Sequence, residues 1–501
     1  MQAPDRVRHS DGSADGSLRC LIVGAGQAGR SIARDLRHTT GYGLEPVAFL
    51  DDDPRHDSYM GLPVVGGIDE LIEAAYTLGI DVVVLAIPGL PPADVRRLVA
   101  AAASIGLGVR YLPSFLAALE RDARIDDLRH LRVDWLLGRG EVRVVRSHNR
   151  EVLEGKRVLV TGAGGSIGSE LCRQIKAFDP EMVYMLDHDE SNLHRLQMEL
   201  NGRALLDRDE LIIADIRDAG RIRQVFRDLR PQVVFHAAAH KHLPLLELHP
   251  AEGVKTNVMG TLNLAEAAVE SGTETFILIS TDKAADPTSV LGATKRLAER
   301  IVQSRVDGPT TFASVRFGNV LGSRGSFLST LLEQIQGGAP ITITHPDVTR
   351  FFMTIEEAVG LVLEAAGMAE RGETYILDMG EPVRIVDLVR NTAAQLHLDE
   401  SDLTIEYTGL RPGEKLNESL FGKDEEKVPT AHPRVWATRP TVPQEGFEVA
   451  LSDLYEAAAA NHSGRVWEML RRVLPEYQPA GQTVDVPTLQ EALVSVYPDG
   501  F

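Results

Sequence analysis

The sequence predicts an α/β protein with two tandem Rossmann-type domains, each built on a doubly wound parallel sheet. In residues 19–29 the apolar segment RCLIVGAGQAG runs into a glycine-rich turn, and RVLVTGAGGSIG at 157–168 repeats this pattern. A helix-like segment follows each turn, and a second apolar strand then ends in an acid, Asp51 or Asp187. Strand, glycine turn, helix, strand and acid in this order form the dinucleotide-binding fingerprint. One glycine pattern alone would be weak evidence, but here the full context occurs twice.

Length, charge and cysteine content narrow the class of protein. A chain of 501 residues is too long for one hydrophobic core and predicts two or more domains. The formal net charge of −20 argues against nucleic acid or an anionic membrane as the main partner. Cys20 and Cys172 are too few and too far apart for a disulfide framework or a metal site, and they suit a reducing cytoplasm.

No segment of the sequence has the length and apolar character of a membrane span. The longest apolar run, LVAAAASIGLGV at 98–109, falls short of the ~20 residues that a helix needs to cross a bilayer. Residues 1–17 lack the apolar core of a signal peptide and are expected to form a disordered tail. We therefore expect a cytoplasmic protein without a membrane span.

Strand-like and helix-like segments alternate along both predicted domains. In the first, DVVVLAIPG at 81–89 is typical of a buried strand, and PADVRRLVAAAAS at 92–104 is typical of a helix. In the second, the strand-like PQVVFHAAA (231–239) and ETFILIS (274–280) flank the helix-like GTLNLAEAAVES (260–271). Such alternation favours a parallel, doubly wound sheet. The pattern loosens after about residue 316, as expected of a part that binds substrate over the strand ends.

The second glycine turn predicts a dinucleotide site. Gly162, Gly165 and Gly168 would let the backbone approach a pyrophosphate at a helix N-terminus, where free N–H groups favour anions. Asp187 would bind the ribose hydroxyls and repel a 2′-phosphate, which favours NAD over NADP. The alternative is a tight strand-to-helix turn that binds no ligand.

Six further segments carry a family resemblance. They are VTGAGGSIGSEL, FHAAAHKHLPLLE, ISTDKAADPTSVLGATKR, RFGNVLGSRGS, DVTRFFMTIEEAV and RPGEKLNESL, in this order between residues 160 and 420. Together they resemble the extended short-chain dehydrogenase/reductases of polysaccharide biosynthesis, specifically the CapD-like UDP-N-acetylglucosamine 4,6-dehydratases. The first domain resembles the Rossmann module of the long, membrane-anchored members, although this sequence shows no membrane helices before it.

The resemblance completes the expected organisation of the chain. It implies that the second domain is catalytic and that the enzyme is a homo-oligomer acting on a UDP-sugar, with NAD as cofactor. The predicted organisation is a disordered tail at 1–17, an N-terminal Rossmann-like domain at 18–137, a linker at 138–156, an extended short-chain dehydrogenase domain with its substrate-binding part at 157–430, and a C-terminal helical extension at 431–501.

The resemblance also implies which residues contact the ligands. For the cofactor these are Gly162, Gly165, Ser166, Ile167, Gly168, Asp187, Asp215, Ile216, Ala237, Ala238, Lys241 and Lys295. For the UDP-sugar they are Lys241, Asn319, Val320, Thr342, Arg350, Arg411 and Glu414. Arginine forks suit a pyrophosphate.

A 4,6-dehydratase oxidises C4, eliminates water across C5 and C6, and returns the hydride to C6. Relatives that act on dTDP-glucose carry Thr-Asp-Glu after the strand, with Asp as the acid and Glu as the base. Here the segment is Thr281-Asp282-Lys283. Lys283 can serve as the C5 base only if its pKa falls toward neutrality, which burial and the nearby Lys295 would favour and Asp282 would oppose.

The usual catalytic tyrosine, four residues before Lys295, is replaced by Leu291. The resemblance implies that long-form dehydratases also lack this tyrosine. Thr281 could hydrogen-bond the C4 hydroxyl, and Asp282, Lys283 or a water could take its proton. The sequence leaves the choice among these three open.

Other interpretations of these segments stay open. His236, His240 and His242 suggest a metal, but no acid or cysteine completes the set, so packing and support roles are expected and no metal is predicted. An epimerase of the same fold, or a non-catalytic nucleotide-sugar sensor marked by Leu291, are the alternative functions. The first domain, with Gly24, Gly26, Gly29 and Asp51, either binds a nucleotide or serves as a scaffold.

Overall fold

The computed structural model of the chain describes most of the molecule. It covers residues 18–38, 44–53, 58–87, 107–111, 129–130, 148–202, 208–323, 325–337, 339–395, 403–440 and 446–479, with single positions at 90, 94, 97, 98, 101, 102, 105 and 206. The predicted tail at 1–17 and residues 138–147 of the predicted linker lie outside this part. The chain divides into two compact units between Arg146 and Ser147.

The first unit contains a five-stranded sheet and, apart from it, a pair of two-residue strands. Its strands are β1 (Leu18–Val23), β2 (Leu44–Leu50), β3 (Ser58–Tyr59), β4 (Leu62–Pro63), β5 (Val82–Leu85), β6 (Gly108–Tyr111) and β7 (Arg129–His130), and its helices include α1 (Gln27–His38) and α2 (Leu71–Leu78). The sheet order is β2-β1-β5-β6-β7, and the pairs are parallel except for β6 with β7. Strand β5 is buried along its whole length because it is covered on both faces, as its unbroken apolar sequence VVVL predicts.

The second unit is larger. Its strands are β8 (Arg157–Thr161), β9 (Met182–Asp187), β10 (Leu211–Ile213), β11 (Val233–His236), β12 (Thr275–Ile279), β13 (Thr311–Arg316), β14 (Asn319–Val320), β15 (Ile341–Ile343), β16 (Thr349–Arg350), β17 (Phe352–Met353), β18 (Thr374–Leu377), β19 (Val383–Arg384), β20 (Ile405–Tyr407), β21 (Val428–Pro429) and β22 (Val435–Thr438). Its α-helices are α3 (His148–Leu153), α4 (Ser166–Ile175), α5 (Glu190–Asn201), α6 (Ala219–Leu229), α7 (Leu243–Leu248), α8 (Pro250–Gly253), α9 (Gly260–Ser271), α10 (Val290–Gln303), α11 (Phe327–Gly337), α12 (Ile355–Gly367), α13 (Ile385–Gln395), α14 (Phe447–Ala459) and α15 (Ser463–Val473).

The main sheet of the second unit has the order β10-β9-β8-β11-β12-β13-β18-β22-β21. From β10 to β18 every neighbouring pair is parallel, and only β18–β22 and β21–β22 are antiparallel. The carboxyl ends of β8, β11 and β12 therefore meet at one edge. In doubly wound sheets this edge, where the strand order reverses, is where ligands bind. Both units thus have the predicted fold class.

The sheet continues beyond residue 430, where the sequence placed the end of the catalytic domain. Strand β22 pairs with β18, and the buried side chains of Leu451, Leu454 and Leu470 from α14 and α15 belong to the same hydrophobic core as the sheet. At the other end, α3 lies in the predicted linker, yet the Asn149 Nδ2 donates a 3.1 Å hydrogen bond to Glu364 of α12. The second unit is larger than its predicted bounds because both flanking segments pack on it.

In the described part of the chain, no helix combines the length and apolar character needed to cross a membrane.

Candidate active site

The second glycine turn joins β8 to α4 in a space that only glycine fits. Gly162 has a φ of +65°, and a Cβ there would lie 2.7 Å from the backbone nitrogen of Ala238. A Cβ on Gly168 would lie 2.1 Å from the carbonyl oxygen of Gly162. The backbone after β11, at Ala237 and Ala238, thus lies directly against the turn. Helix α4 begins at Ser166. Its N-cap is Gly165, which has no side chain to accept hydrogen bonds from the first N–H groups of the helix.

Asp187, the last residue of β9, is tied to this turn. Its Oδ2 accepts a 2.9 Å hydrogen bond from the Gly164 N–H, and its Oδ1 accepts a 3.0 Å bond from the Asp189 N–H. In the first unit the Asp51 Oδ2 accepts from the Ala25 N–H at 2.5 Å in the same way. The tight glycine turn, the helix N-terminus and the acid fit the pyrophosphate and ribose of a dinucleotide.

Asp215 and Ile216 follow β10 at the same edge of the sheet. The carboxylate of Asp215 is paired with Arg217 at 2.6 Å, and the hydrogen bonds from Arg217 lower the pKa of Asp215. Ile216 is buried, and a Cβ on Gly260 at the start of α9 would lie 2.5 Å from its side chain. Asp215, predicted to contact the cofactor, is therefore already bound by a neighbouring arginine.

Thr281, Asp282 and Lys283 follow β12, and the last two lie in a 3₁₀ turn over Asp282–Ala284. Asp282 is completely buried. Its Oδ1 accepts a 2.9 Å hydrogen bond from Thr281 Oγ1 and a 3.0 Å bond from Lys283 Nζ. Its Oδ2 has no hydrogen-bond partner among the described residues. The three residues thus form one hydrogen-bonded group, in which Asp282 Oδ2 is available to accept a further hydrogen bond.

Lys283 differs from the sequence-based expectation in its protonation. Burial acts to lower the pKa of Lys283, but the negative charges of Asp282 and Glu418 outweigh this effect and raise it. The sequence argument required a fall toward neutrality, and that requirement is not met, because Glu418 adds a second carboxylate that it did not include. Lys283 Nζ also donates a 3.3 Å hydrogen bond to Asn319 Oδ1, which joins a predicted substrate residue to the catalytic group.

Lys295 lies buried on α10, and its Nζ donates a 2.6 Å hydrogen bond to the carbonyl oxygen of Ile279 at the end of β12. Burial lowers the pKa of Lys295 to about 8, partly offset by the charge of Glu299. Leu291, one turn earlier on the helix, is buried in the hydrophobic core. Lys295 thus loses its proton more readily than an ordinary lysine, and the position of the usual tyrosine serves packing.

Of the three histidines near β11, His236 is buried, whereas His240 and His242 are exposed. His236 is buried between two hydroxyls, with Nδ1 2.8 Å from Thr161 Oγ1 and Nε2 3.0 Å from Thr261 Oγ1. Burial, and then the charge of Lys295, lower the pKa of His236 to about 3, so this ring is neutral. No three His, Cys, Asp or Glu side chains gather to hold a metal ion in the part of the chain that the structure describes.

Four of the residues predicted to hold the UDP-sugar lie in two groups. Arg350 on β16 donates a 2.6 Å hydrogen bond to Glu414 Oε1, and the Arg411 N–H donates to Glu414 Oε2 at 3.2 Å. Glu414 thus links both arginines, and the side chain of Arg411 stays exposed. Asn319 belongs to the second group, beside Lys283.

Val320, Thr342 and Lys241 were also predicted to contact the UDP-sugar. Val320 pairs with Met353 of β17. Thr342 on β15 accepts a 3.1 Å hydrogen bond from Gln334 Nε2. Lys241 lies in the loop after β11, where partial burial lowers its pKa.

Comparison with known proteins gives the family. Residues 158–440 match the family described as polysaccharide biosynthesis protein, which is more than half of the chain. The chain belongs to this family. A Bacillus subtilis (strain 168) protein described as probable polysaccharide biosynthesis protein EpsC is 44% identical over 425 residues, which are 84% of this chain and 71% of that protein.

Two more distant relatives have different activities in their names. A Campylobacter jejuni (serotype O:23/36, strain 81-176) UDP-N-acetylglucosamine 4,6-dehydratase (inverting) is 30% identical, over 58% of this chain and 85% of that protein. A Rickettsia rickettsii (strain Sheila Smith) UDP-glucose 4-epimerase is 32% identical, over 54% of this chain and 79% of that protein. Among solved structures, Pen from Bacillus thuringiensis matches with a TM-score of 0.53 and 33% identity, over 58% of this chain and 91% of that one. Membership of the polysaccharide biosynthesis family thus leaves two reactions of nucleotide sugars to consider.

Two residues of this family member were missed by sequence reasoning. Asn257 lies in a π-helical turn, Val254–Met259, where its Oδ1 accepts from the His240 N–H at 2.8 Å and its Nδ2 donates to the His240 carbonyl and to Thr294 Oγ1, both at 3.1 Å. Asn257 thus fixes the loop before Lys241 against α10. A single asparagine in a helix-like segment gives no signal of this role. Glu418, in the segment RPGEKLNESL, interacts with Lys283.

Proposed function

We propose that this chain is an NAD-dependent 4,6-dehydratase that converts UDP-N-acetylglucosamine into its 4-keto-6-deoxy derivative. The observation that carries this proposal is the connected group Thr281–Asp282–Lys283 at the end of β12, where Lys283 also meets Asn319. Membership of the polysaccharide biosynthesis family and the similarity to a named dehydratase support it.

The cofactor would be held by the glycine turn of Gly162 to Gly168 and by Asp187. When bound, NAD supplies a reversible hydride acceptor, so the reaction has no net redox change. The UDP moiety would be held by Arg350, Arg411 and Asn319, whose charge and polarity suit a diphosphate and its ribose. Lys295 would hold the ribose next to the nicotinamide.

Asp282 and Lys283 would carry out the elimination. Lys283 as the amine takes the C5 proton, and Asp282 as the carboxylic acid gives a proton to the C6 hydroxyl, which leaves as water. The resting ammonium–carboxylate pair contains the same number of protons as this amine–acid pair. One proton transfer along the 3.0 Å hydrogen bond interconverts the two forms. The raised pKa of Lys283 is therefore compatible with its role as base, provided that Asp282 receives the proton.

The second candidate is a UDP-sugar 4-epimerase, which the Rickettsia relative favours. A C4 epimerase needs no acid and base at C5 and C6, so the Asp282–Lys283 pair would then have no elimination to perform, and a single base for the C4 hydroxyl would suffice. The pair therefore favours the dehydratase.

Incubation of the purified protein with UDP-N-acetylglucosamine, followed by mass spectrometry, tests the proposal. The dehydratase predicts loss of the mass of one water from the nucleotide sugar. An isomer of unchanged mass would show an epimerase, and binding without turnover would show a sensor. A cytoplasmic location and a homo-oligomeric state also stay predictions, which cell fractionation and light scattering would check.

A further inference from the structure

Glu418 is a buried carboxylate whose negative charge acts on Lys283 of the catalytic pair. Its side chain is only 2% exposed. Its Oε2 lies 3.8 Å from Lys415 Nζ and has no hydrogen-bond partner within the described ranges. A buried carboxylate oxygen without a hydrogen bond destabilises the fold, because no bond replaces those that it made to water.

The chain places Glu418 here through bonds between two loops. Thr288 Oγ1 donates a 2.9 Å hydrogen bond to the Gly413 carbonyl, and Lys415 Nζ donates a 2.8 Å bond to the Ala285 carbonyl. The Lys423 N–H donates to both oxygens of Asp286 at 3.1 Å. The loop that follows Lys283 is therefore fastened to the loop that contains Glu418.

Glu299, a buried carboxylate elsewhere in the same unit, has a different environment. Glu299 Oε1 accepts hydrogen bonds from Ser280 and Arg316 at 2.6 and 2.7 Å, and its Oε2 accepts from Arg316 and Arg296 at 2.6 and 3.1 Å. Glu299 thus has both oxygens satisfied, as expected of a group that stabilises the fold. Oε2 of Glu418 lacks such a partner in the described part of the chain, which points to a role in the site.

The charges around Glu418 are those of the catalytic pair and its neighbours. Burial raises the pKa of Glu418; the positive charge of Lys283 opposes this, the negative charge of Asp282 adds to it, and Lys415 and Arg350 oppose it further. In turn, Asp282 and Glu418 raise the pKa of Lys283 against burial and Arg350. Lys283 therefore interacts with two carboxylates, although it is hydrogen-bonded to one of them.

We propose that Glu418 is a positioning residue that keeps the shared proton on the Asp282–Lys283 pair and so sets the upper pH limit of the elimination. The inference rests on the proposed function, since it assumes that this pair performs the elimination. The reacting pair needs one proton between its two members: with that proton lost, Asp282 has none to give to the C6 hydroxyl. The negative charge of Glu418 holds this proton in place by stabilising the Lys283 ammonium.

The test replaces Glu418 by Gln, which has the same shape without the charge, and by Asp, which keeps the charge. The pH dependence of turnover is measured for both, with Glu274→Gln as the matched control, because Glu274 is a half-exposed partner of Lys156 elsewhere in the unit. For Glu418→Gln the alkaline midpoint of turnover should move to lower pH by about one unit, the effect of removing one nearby charge. Glu418→Asp should move it less, and Glu274→Gln should leave it unchanged.

A second readout is independent of turnover. The acetylation rate of Lys283 by acetic anhydride is followed against pH by peptide mass spectrometry, since its side chain is 18% exposed and the reagent is small. The midpoint of acetylation should also move to lower pH in Glu418→Gln. Glu418→Met, uncharged and of similar length, repeats the test if the Gln variant does not fold.

Unchanged midpoints in the uncharged variants would overturn the inference, as would an equal displacement in Glu274→Gln. If the parent protein eliminates no water from UDP-N-acetylglucosamine, the proposed function fails by itself. The acetylation midpoint still decides whether Glu418 controls the proton on Lys283.

Discussion

At the residue scale, Asp282 and Lys283 share one hydrogen bond but would serve different halves of the elimination. Lys283→Ala should abolish both water loss and the exchange of the C5 hydrogen with solvent deuterium, because it removes the base. Asp282→Asn should block water loss and leave part of the C5 exchange, because it removes the acid. A general acid or base step contributes typically ~10²–10⁴-fold, so mass spectrometry of the product in deuterated water will resolve both losses.

Leu291→Met provides the control for these two variants. Its side chain has a similar volume and, like leucine, carries no proton for the reaction, so turnover should stay close to that of the parent. If Lys283→Ala turns over within a few-fold of the parent, the catalytic assignment of this segment is wrong.

Arg411 tests the substrate side of the site. Arg411→Ala should raise KM for the UDP-sugar far more than it lowers kcat, because a lost charge-assisted hydrogen bond costs roughly 1.5–3 kcal/mol, or about 10- to 150-fold. Arg439→Ala is the matched control, since Arg439 is 76% exposed and forms an ion pair with Glu426, which is exposed as well. Steady-state kinetics would remove Arg411 from the site if its KM stayed at the parent value.

The sequence predicted which residues form the site better than it predicted the charges and contacts around them. The segment Thr281–Asp282–Lys283 could be assigned because its members are adjacent and follow a strand. The protonation of Lys283 could not, since it depends on Glu418, which is 135 positions away and meets it only through the folded loops. Asn257 was missed for the same reason, because its partners His240 and Thr294 come from other elements.

At the scale of elements, a substitution tests the role of the second glycine turn, between β8 and α4. Gly168→Ala should lower the retention of NAD through desalting, because its Cβ would meet the Gly162 carbonyl oxygen at 2.1 Å and force the turn apart. Overpacking of this kind costs typically about 1–3 kcal/mol, so the unfolding temperature should also fall. Absorbance of the released nucleotide and a thermal unfolding curve measure the two effects.

Gly220→Ala is the control for the turn. Gly220 lies in the first turn of α6, and its Cβ would meet nothing closer than Asp218 Oδ1 at 3.4 Å. Alanine should therefore be tolerated or slightly stabilising there, by up to about 1 kcal/mol. Equal losses of NAD in the two variants would show that the turn has no special part in binding.

Strong local patterns explain which elements could be predicted. Strands β11 and β12 contain the continuous apolar runs VVF and FILI, which are covered on both faces, so their sequence alone indicates them. Strand β22 has four residues and pairs antiparallel with β18, about 60 positions earlier, so no local pattern indicates it. Helix α3 has six residues, and its packing depends on Asn149 and Leu153, which are both buried.

At the scale of the whole molecule, the repeat of strand, glycine turn and acid predicted two Rossmann-type units, and the structure has two. The limits of the second unit were harder to predict. Residues 446–479 carry no motif, yet α14 and α15 bury Leu451, Leu454 and Leu470 in the core of this unit. A segment can be essential to a core without chemistry of its own, because hydrophobic packing needs only the right face and volume.

Two truncated fragments that differ by ten residues test where the second unit begins. The fragment 147–501 starts at the boundary between the units and keeps α3, so we expect it to fold and to retain water elimination if the first unit is regulatory or architectural. The fragment 157–501 starts at β8, and it loses the buried Leu153 and the hydrogen bond from Asn149 to Glu364. Removal of a buried leucine side chain alone costs about 2–5 kcal/mol, so this fragment should unfold at clearly lower temperature. Thermal unfolding and turnover of both fragments would decide the matter. A folded 147–501 fragment without any turnover would show that the first unit completes the active site.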